Sequence, residues 1–282
     1  MAQAQKNVWR HTYAWILMVF ALFPIYVVII SAFDPTGSLA SSNLLPRQWS
    51  LKNFDVLFTS ESAPFLVWVK NSLIIASINA VVSVMIGASA AYAFSRLRFK
   101  GRNVGLRTLL LVQVFPSFLA LAAIYTMMER VYTVFPGIGL GSIWGLLLIY
   151  LGGSMGINAW LLKGFFDSIP VELDEAAKID GASATQTFWT VVFPLAAPVL
   201  AIVALLSFIG TFNEFILASF FLTDVQSRTV AVGLQGFVGA LFGQNWGPFA
   251  AGSLLASIPM VVLFLTFQRF IVSGLSAGSV KG

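Results

Sequence analysis

Cysteine is absent from this 282-residue sequence, and histidine occurs once, at position 11. No disulfide framework, thiolate metal site or cysteine nucleophile can be built, and cysteine usage says nothing of redox compartment. There is also no cysteine to carry a lipoprotein-type anchor. His11 sits in a basic N-terminal flank, where a solvated or interfacial place is expected rather than metal binding or catalysis. With no metal cluster and no nucleophile triad to assemble, catalytic and metal residues are expected to be none.

Charge is scarce as well. Charged residues make up 10% of the chain against 58% hydrophobic, with a mean hydropathy of +0.88, whereas soluble domains carry about a quarter charged. A soluble fold of this length would need polar residues to cover its core, and long stretches here supply none. The expectation is an all-α integral membrane protein. Six runs reach the length of about 20 mostly apolar residues that crosses a bilayer: 12–33, 68–95, 104–128, 143–165, 191–222 and 247–272. Trp9, Trp15, Trp68, Trp144, Tyr150 and Trp246 suit the interfacial preference of amphipathic aromatics. The first run, preceded by Lys6, Arg10 and His11, exceeds the signal-peptide core of about 7 to 15 residues. It is expected to be retained, although Ser38, Leu39, Ala40 and Ser41 resemble a weak cleavage site.

The net charge of +5 would suit nucleic acid, but the basic residues flank apolar runs instead. With a cytoplasmic N-terminus, Lys6, Arg10, Arg96, Arg98, Lys100, Arg102, Arg107, Lys163, Lys178, Arg269 and Lys281 fall inside. Arg47, Lys52, Lys70, Arg130 and Arg228 fall outside, so eleven oppose five and both termini are expected in the cytoplasm. The bilayer is an expected partner; nucleic acid is not.

Most runs contain proline or glycine: Pro24, Gly87, Pro116, Gly152 with Gly153, Pro198, Gly210 and Pro259. Broken backbone is tolerated in a membrane where neighbouring helices or a wet cavity satisfy the freed groups. Two readings stand, close packing through small residues, as in Gly87-Ala88-Ser89-Ala90-Ala91, and a mobile bundle.

Between the fourth and fifth runs lies a polar stretch beginning at Ser168. Ser168 and Pro170 are start signals, Glu172, Asp174 and Glu175 suit the first turns of a helix, and Gly181 suits the left-handed position that ends one. Ser183 with Gln186 forms a capping-box pattern that restarts a helix. Residues 171–180 predict a helix of about 15 Å, with Glu172, Glu175 and Ala176 on one side and small Ala176, Ala177 and Ala182 admitting a close neighbour. A membrane-surface helix would ordinarily be basic; this one carries four acids against one base, and reads as built to meet a protein.

Glu175-Ala176-Ala177, then Asp180-Gly181-Ala182, then Phe193-Pro194 resemble the EAA motif of permease subunits in binding-protein-dependent ABC importers. Within that family the chain is similar, over nearly its whole length, to the smaller permeases of maltose/maltodextrin transporters and related carbohydrate permeases. The matching stretches include Ala91-Tyr92-Ala93-Phe94 with Arg98-Phe99, Tyr150-Leu151-Gly152-Gly153, and Gln268-Arg269 with the tail 274–282. The resemblance implies six spans of the type I importer kind in a bacterial inner membrane, with a cytoplasmic coupling helix after span four. It implies that Glu172, Glu175, Ala176, Ala177, Asp180, Gly181 and Ala182 form the interface with a separate ATPase dimer. The chain has no G-x-x-x-x-G-K-[ST] phosphate loop, so ATP and magnesium are expected in the partner ATPase subunits and no cofactor in this chain.

The same resemblance implies a second permease and an extracytoplasmic sugar-binding protein as partners, the latter facing the loop 223–246 through Gly233, Leu234, Gln235, Gly236 and Phe237. From Phe237 to Trp246 the sequence is richer in glycine than the family pattern. It further implies that Ala277, Gly278, Val280 and Lys281 reach the ATPases, where composition alone reads a disordered tail. Glu214, with Asn213 beside it, and Gln113 are intramembrane polar residues, which count as functional candidates because burying them is costly. They stand as translocation-path candidates; a packing bond across helices is the other reading, and it covers Asn79 and Asn158 too. A membrane-embedded enzyme would need paired acids, histidines or a metal motif near one leaflet, and a channel would need charged rings or a filter sequence. Neither pattern is present. The expected solute is maltose or maltodextrin, with trehalose, glycerol phosphate or another saccharide as alternatives.

Overall fold

The computed structural model describes residues 2–36, 45, 48–239 and 244–279, with side chains at residues 9–36, 45, 48–116, 119–153, 156–239 and 244–270. Every regular element among them is helical: α1 (Ala2–Phe33), α2 (Lys52–Thr59), α3 (Phe65–Arg96), α4 (Arg102–Val114), α5 (Leu121–Val134), α6 (Ile143–Ser168), α7 (Glu172–Ile179), α8 (Ala184–Thr187), α9 (Phe193–Leu195), α10 (Ala197–Phe212), α11 (Ile216–Phe221), α12 (Val230–Val238) and α13 (Trp246–Ser279). Residues 38–41, which resemble a weak cleavage site, lie outside the described residues.

Among the described residues three helices are long and apolar enough to cross a membrane unaided, within Trp9–Phe33, Phe65–Arg96 and Trp246–Phe270. Two bent pairs raise that number to at most five. The fourth expected run is one of them, turning by 44° between Ile143–Gly153 and Gly156–Ser168. The fifth differs more from expectation. Its first residues belong to a helical arm that meets α10 at 79°, where Pro194 and Pro198 remove amide donors from the helical ladder. It breaks again after Phe212, so α10 has 16 residues and is about 24 Å long. The third run, 104–128, is divided at Phe115-Pro116 into α4, a 3₁₀ turn Ser117–Ala120 and α5.

The chain folds as two units. The first joins Met1–Leu66 to Val232–Ile258. In it α2 packs on α1, because the buried Asn53 amide donates to the carbonyls of Ala32 at 3.0 Å and Asp34 at 2.8 Å. These are carbonyls that a helix end leaves without partners. Phe33 lies against Trp49 and Phe54.

The second unit, Val67–Ala231 with Pro259–Gly282, holds the larger helical body. Its core runs from Val84, Ala88 and Ala91 on α3 through Leu162 and Phe166 on α6 to Phe188, Val192 and Leu200. Small residues set the spacing: a Cβ on Gly87 would stand 2.8 Å from Asn158 Cβ. Between apolar helices in lipid, such close van der Waals packing replaces the hydrophobic effect as the source of association. Trp68 and Tyr150, read from the sequence as interfacial aromatics, are buried among the helices, being 1% and 8% exposed. Trp68 Nε1 donates to Val225 O at 2.7 Å. With Asn71, which donates to the carbonyls of Gln226 and Arg228, and Ser72, which accepts from Val230 N, it pins the α11–α12 connection to α3.

Candidate functional site

Helix α7 forms where the sequence places acids in a first turn, and it ends as glycine dictates. Gly181 has φ +84°. Its amide donates to Lys178 O at 3.0 Å, and Ala182 N reaches Ala177 O at 2.9 Å. This pair of bonds is the Schellman closure. The helix restarts at Ser183, whose hydroxyl accepts from Gln186 N while Gln186 Oε1 accepts from Ser183 N. Two short helices around a glycine turn are therefore present, the first spanning eight residues.

Glu172, Glu175, Ala176, Asp180 and Gly181 are exposed, and Ala177 and Ala182 are partly so. Ile179 is 88% exposed, with Val171 and Leu173 also uncovered. Asp174 alone among the acids of α7 turns inward. Its Oδ2 lies 2.9 Å from Arg96 Nε at the end of α3, both side chains being under a tenth exposed. Arg96 also donates to Ile169 O at 2.7 Å, and the neighbouring Ser95 donates to Asp167 at 2.6 Å. The buried charge pair thus ties α7 to α3, and the two hydrogen bonds tie α3 to the end of α6 just before it. In the sequence Arg96 reads as one of many inside charges and Asp174 as a helix-start residue, since nothing local distinguishes an inward acid from an outward one.

A second feature lies in the same unit. A cavity of about 820 Å³ opens between α3, α4, α6 and the α10–α11 break, and both Gln113 and Glu214 line it. Gln113 Nε2 donates to Gly153 O at 2.8 Å, supplying a donor to a carbonyl at the bend of α6. Glu214 caps α11: Oε1 accepts from Leu217 N at 2.8 Å, and Oε2 from Ala218 N at 3.0 Å and from the Tyr150 hydroxyl at 2.6 Å. A carboxylate there complements the helix dipole and satisfies amides that a broken helix orphans. Asn79 and Asn158 line the cavity as well, bonded to Thr211 at 2.7 Å and Ser207 at 3.4 Å. Asn213 does not join them; its amide turns back to Ile209 O at 3.1 Å and towards Met260 Sδ at 3.9 Å. Gln113, Glu214, Asn79 and Asn158 thus both line the cavity and bond across helices. Tyr150 is the member that sequence reasoning missed as a site residue.

The stretch expected as an external loop contains helix α12. Val230, Leu234 and Phe237 form its buried stripe at helical spacing, Gly233 and Gly236 are buried with them, and Gln235 alone of the five named loop residues is exposed. Helix α13 continues past 272 through Ala277 and Gly278 to Ser279, so the described part of the expected tail is helical; Val280 and Lys281 lie outside the described residues.

Comparison with known proteins places these features in a family. The model of the "binding-protein-dependent transport system inner membrane component" family matches residues 83–276. The maltose/maltodextrin transport system permease protein MalG of Vibrio vulnificus (strain YJ016) is 39% identical over 289 residues, covering 98% of this chain and 96% of that protein. The galactooligosaccharides transport system permease protein GanQ of Bacillus subtilis (strain 168) is 38% identical over 97% of this chain and 96% of its own. Among solved structures, a chain of a bacterial ABC transporter involved in import of the acidic polysaccharide alginate superposes with a TM-score of 0.78 at 21% identity, over 95% of this chain and 97% of that one. That likeness carries the fold. The chain belongs to the inner membrane components of binding-protein-dependent transport systems, the permease subunits of ABC importers.

Proposed function

We propose that this chain is one of two permease subunits of an importer that carries maltose or maltodextrins across a bacterial inner membrane. In this reading the chain crosses the membrane six times, the broken third, fourth and fifth runs each counting as one span, and both termini are cytoplasmic. Two ATPase subunits, holding ATP and magnesium, bind the exposed face of α7, with Glu172, Glu175, Ala176, Ala177, Asp180, Gly181 and Ala182 at the contact. An external binding protein delivers the sugar to the segment holding Gly233, Leu234, Gln235, Gly236 and Phe237, of which Gln235 is the exposed member, and the end of α13 with Val280 and Lys281 reaches the ATPases. Gln113, Asn213 and Glu214 belong to the translocation path.

The observation that carries this reading is the state of α7. A helix whose root is tied to α3 through Arg96 and Asp174, yet whose acids and Ile179 stand uncovered, is arranged as a lever. Val171, Leu173 and Ile179, all uncovered beside these acids, support reading this face as an apolar patch rimmed by charge of the kind that a partner covers. Closure of the ATPases would move α7, and the buried pair would pass that motion to α3.

The relatives named for maltose and maltodextrin at 39% identity favour that solute. Galactooligosaccharides are the second reading, supported by the relative at 38%. The test is uptake by the reconstituted complex with its binding protein, over a panel of maltodextrins, trehalose, galactooligosaccharides and glycerol phosphate. Uptake of maltodextrins above the rest supports the reading, and uptake of none of the saccharides overturns it. An enzyme would act alone, whereas this chain is expected to purify with an ATPase.

A further inference from the structure

We infer that the turn joining α3 to α4 is a docking site for anionic phospholipid headgroups, held by Arg98, Lys100 and Arg107, with Leu97, Phe99 and Val104 seated where the acyl chains begin. The inference goes beyond the transport reading and does not depend on which solute is carried.

Charge is the first observation. Residues 62–128 contain no aspartate or glutamate, yet five bases stand between positions 96 and 107. Two of them are used inside the protein: Arg96 pairs with Asp174, and Arg102 donates to Ser95 O at 3.3 Å. The side chains of Arg98, Lys100 and Arg107 make no ion pair or hydrogen bond among the described residues, and all three residues are exposed. Asp167, the other acid tied to the end of α3, is already engaged by Ser95 and Lys163. Neither acid at this helix end is left to neutralise the three free bases.

The second observation is shape. Gly101 takes φ +86°, Phe99 packs on Phe94 with ring centroids 5.6 Å apart, and Arg102 hooks back to Ser95. These contacts hold a cavity of about 370 Å³ lined by Arg98, Phe99, Gly101, Arg102, Asn103 and Val104. The third is position. Helix α3 is long and apolar enough to cross a bilayer, and the turn follows its last residue, so the cavity stands at the membrane boundary. There Leu97, Phe99 and Val104 are 41%, 45% and 67% exposed. Apolar side chains interleaved with free cations suit a surface that is acidic outside and hydrocarbon within, and long basic side chains reach from that level to the phosphates. Free phosphate in water would need none of the apolar members. Each lysine or arginine at an anionic membrane surface strengthens association about fivefold. A protein that covered the exposed acids of α7 would bring bases, and this turn would repel them.

The chain's lack of cysteine permits a direct test. Asn103 lines the cavity and is exposed, so Asn103→Cys carries a bimane label without removing a charge. In the full complex with cysteine-free partner subunits, reconstituted into phosphatidylcholine vesicles, doxyl-labelled phosphatidylglycerol is expected to quench the bimane severalfold more than the same fraction of doxyl-labelled phosphatidylcholine. Combining Arg98→Gln, Lys100→Gln and Arg107→Gln is expected to bring the two lipids level, whereas Arg98→Lys with Arg107→Lys keeps the preference. Equal quenching by the two lipids without these substitutions overturns the site, as does loss of the preference to inorganic phosphate at matched ionic strength. Quenching by neither lipid also overturns it, and a benzophenone on the same cysteine that cross-links an ATPase subunit would then identify a protein contact instead. The comparison needs neither sugar nor ATP, so its failure is distinct from failure of the uptake panel.

Discussion

Arg96 Nε lies 2.9 Å from Asp174 Oδ2, and both side chains are shielded from solvent. This pair joins the end of the long helix α3 to the short helix α7 across 78 residues of sequence. Removing one partner leaves the other charge buried alone, which costs about 3–5 kcal/mol. Asp174→Ala is therefore expected to lower the thermal midpoint of the solubilised complex substantially. The double variant Arg96→Met with Asp174→Leu is expected to recover most of the loss, because hydrophobic replacement of a buried pair is often neutral. Midpoints measured across this double-mutant cycle check the point; additive losses would mean that the two residues do not act as a pair.

Gly181 gives a second prediction. Its φ of +84° is costly for a side chain with a Cβ, by roughly 1–2 kcal/mol. Gly181→Val is expected to destabilise α7 and depress coupled transport, while Gly181→Asn retains more of both, since asparagine tolerates that conformation. Equal activity of the two variants would remove the backbone argument.

Two helix glycines make opposite predictions. Gly87→Ala places a Cβ 2.8 Å from Asn158 Cβ and is expected to cost about 1–3 kcal/mol by overpacking α3 against α6. Gly210→Ala meets open space and is expected to be neutral or to stabilise by up to about 1 kcal/mol. Thermal midpoints of the two single variants settle the ranking.

At the α10–α11 break, Glu214→Ala removes the cap from Leu217 N and Ala218 N, and a loss of about 0.5–2 kcal/mol is expected. Tyr150→Phe removes one of three donors to the same carboxylate and is expected to cost less, about 1 kcal/mol. A Tyr150→Phe variant less stable than Glu214→Ala would show that the tyrosine, not the cap, holds this break.

Local chemistry made α7 legible in the sequence: acids at its start, Gly181 at its end and the Ser183–Gln186 box beyond are all decided within a few residues. Hydropathy marked the six runs because bilayer length is a composition signal, but it could not show that Pro116 and the Pro194–Pro198 stretch divide two of them. Pro24 and Pro259 stand inside unbroken helices, so proline alone does not decide. Arg96–Asp174 and Tyr150–Glu214 were hidden because each pairs residues more than 60 positions apart, and a single sequence carries no mark of such partners. Helix α12 had a readable stripe in Val230, Leu234 and Phe237, obscured by the glycines between them.

The central claim is that α7 couples this chain to an ATPase, and Glu175→Lys tests it most directly. The residue is exposed and makes no ion pair among the described residues, so the variant is expected to reach the membrane at normal levels. ATPase activity of the reconstituted complex, measured with and without sugar-loaded binding protein, is expected to lose its sugar stimulation. Wild-type stimulation in this variant would contradict the account.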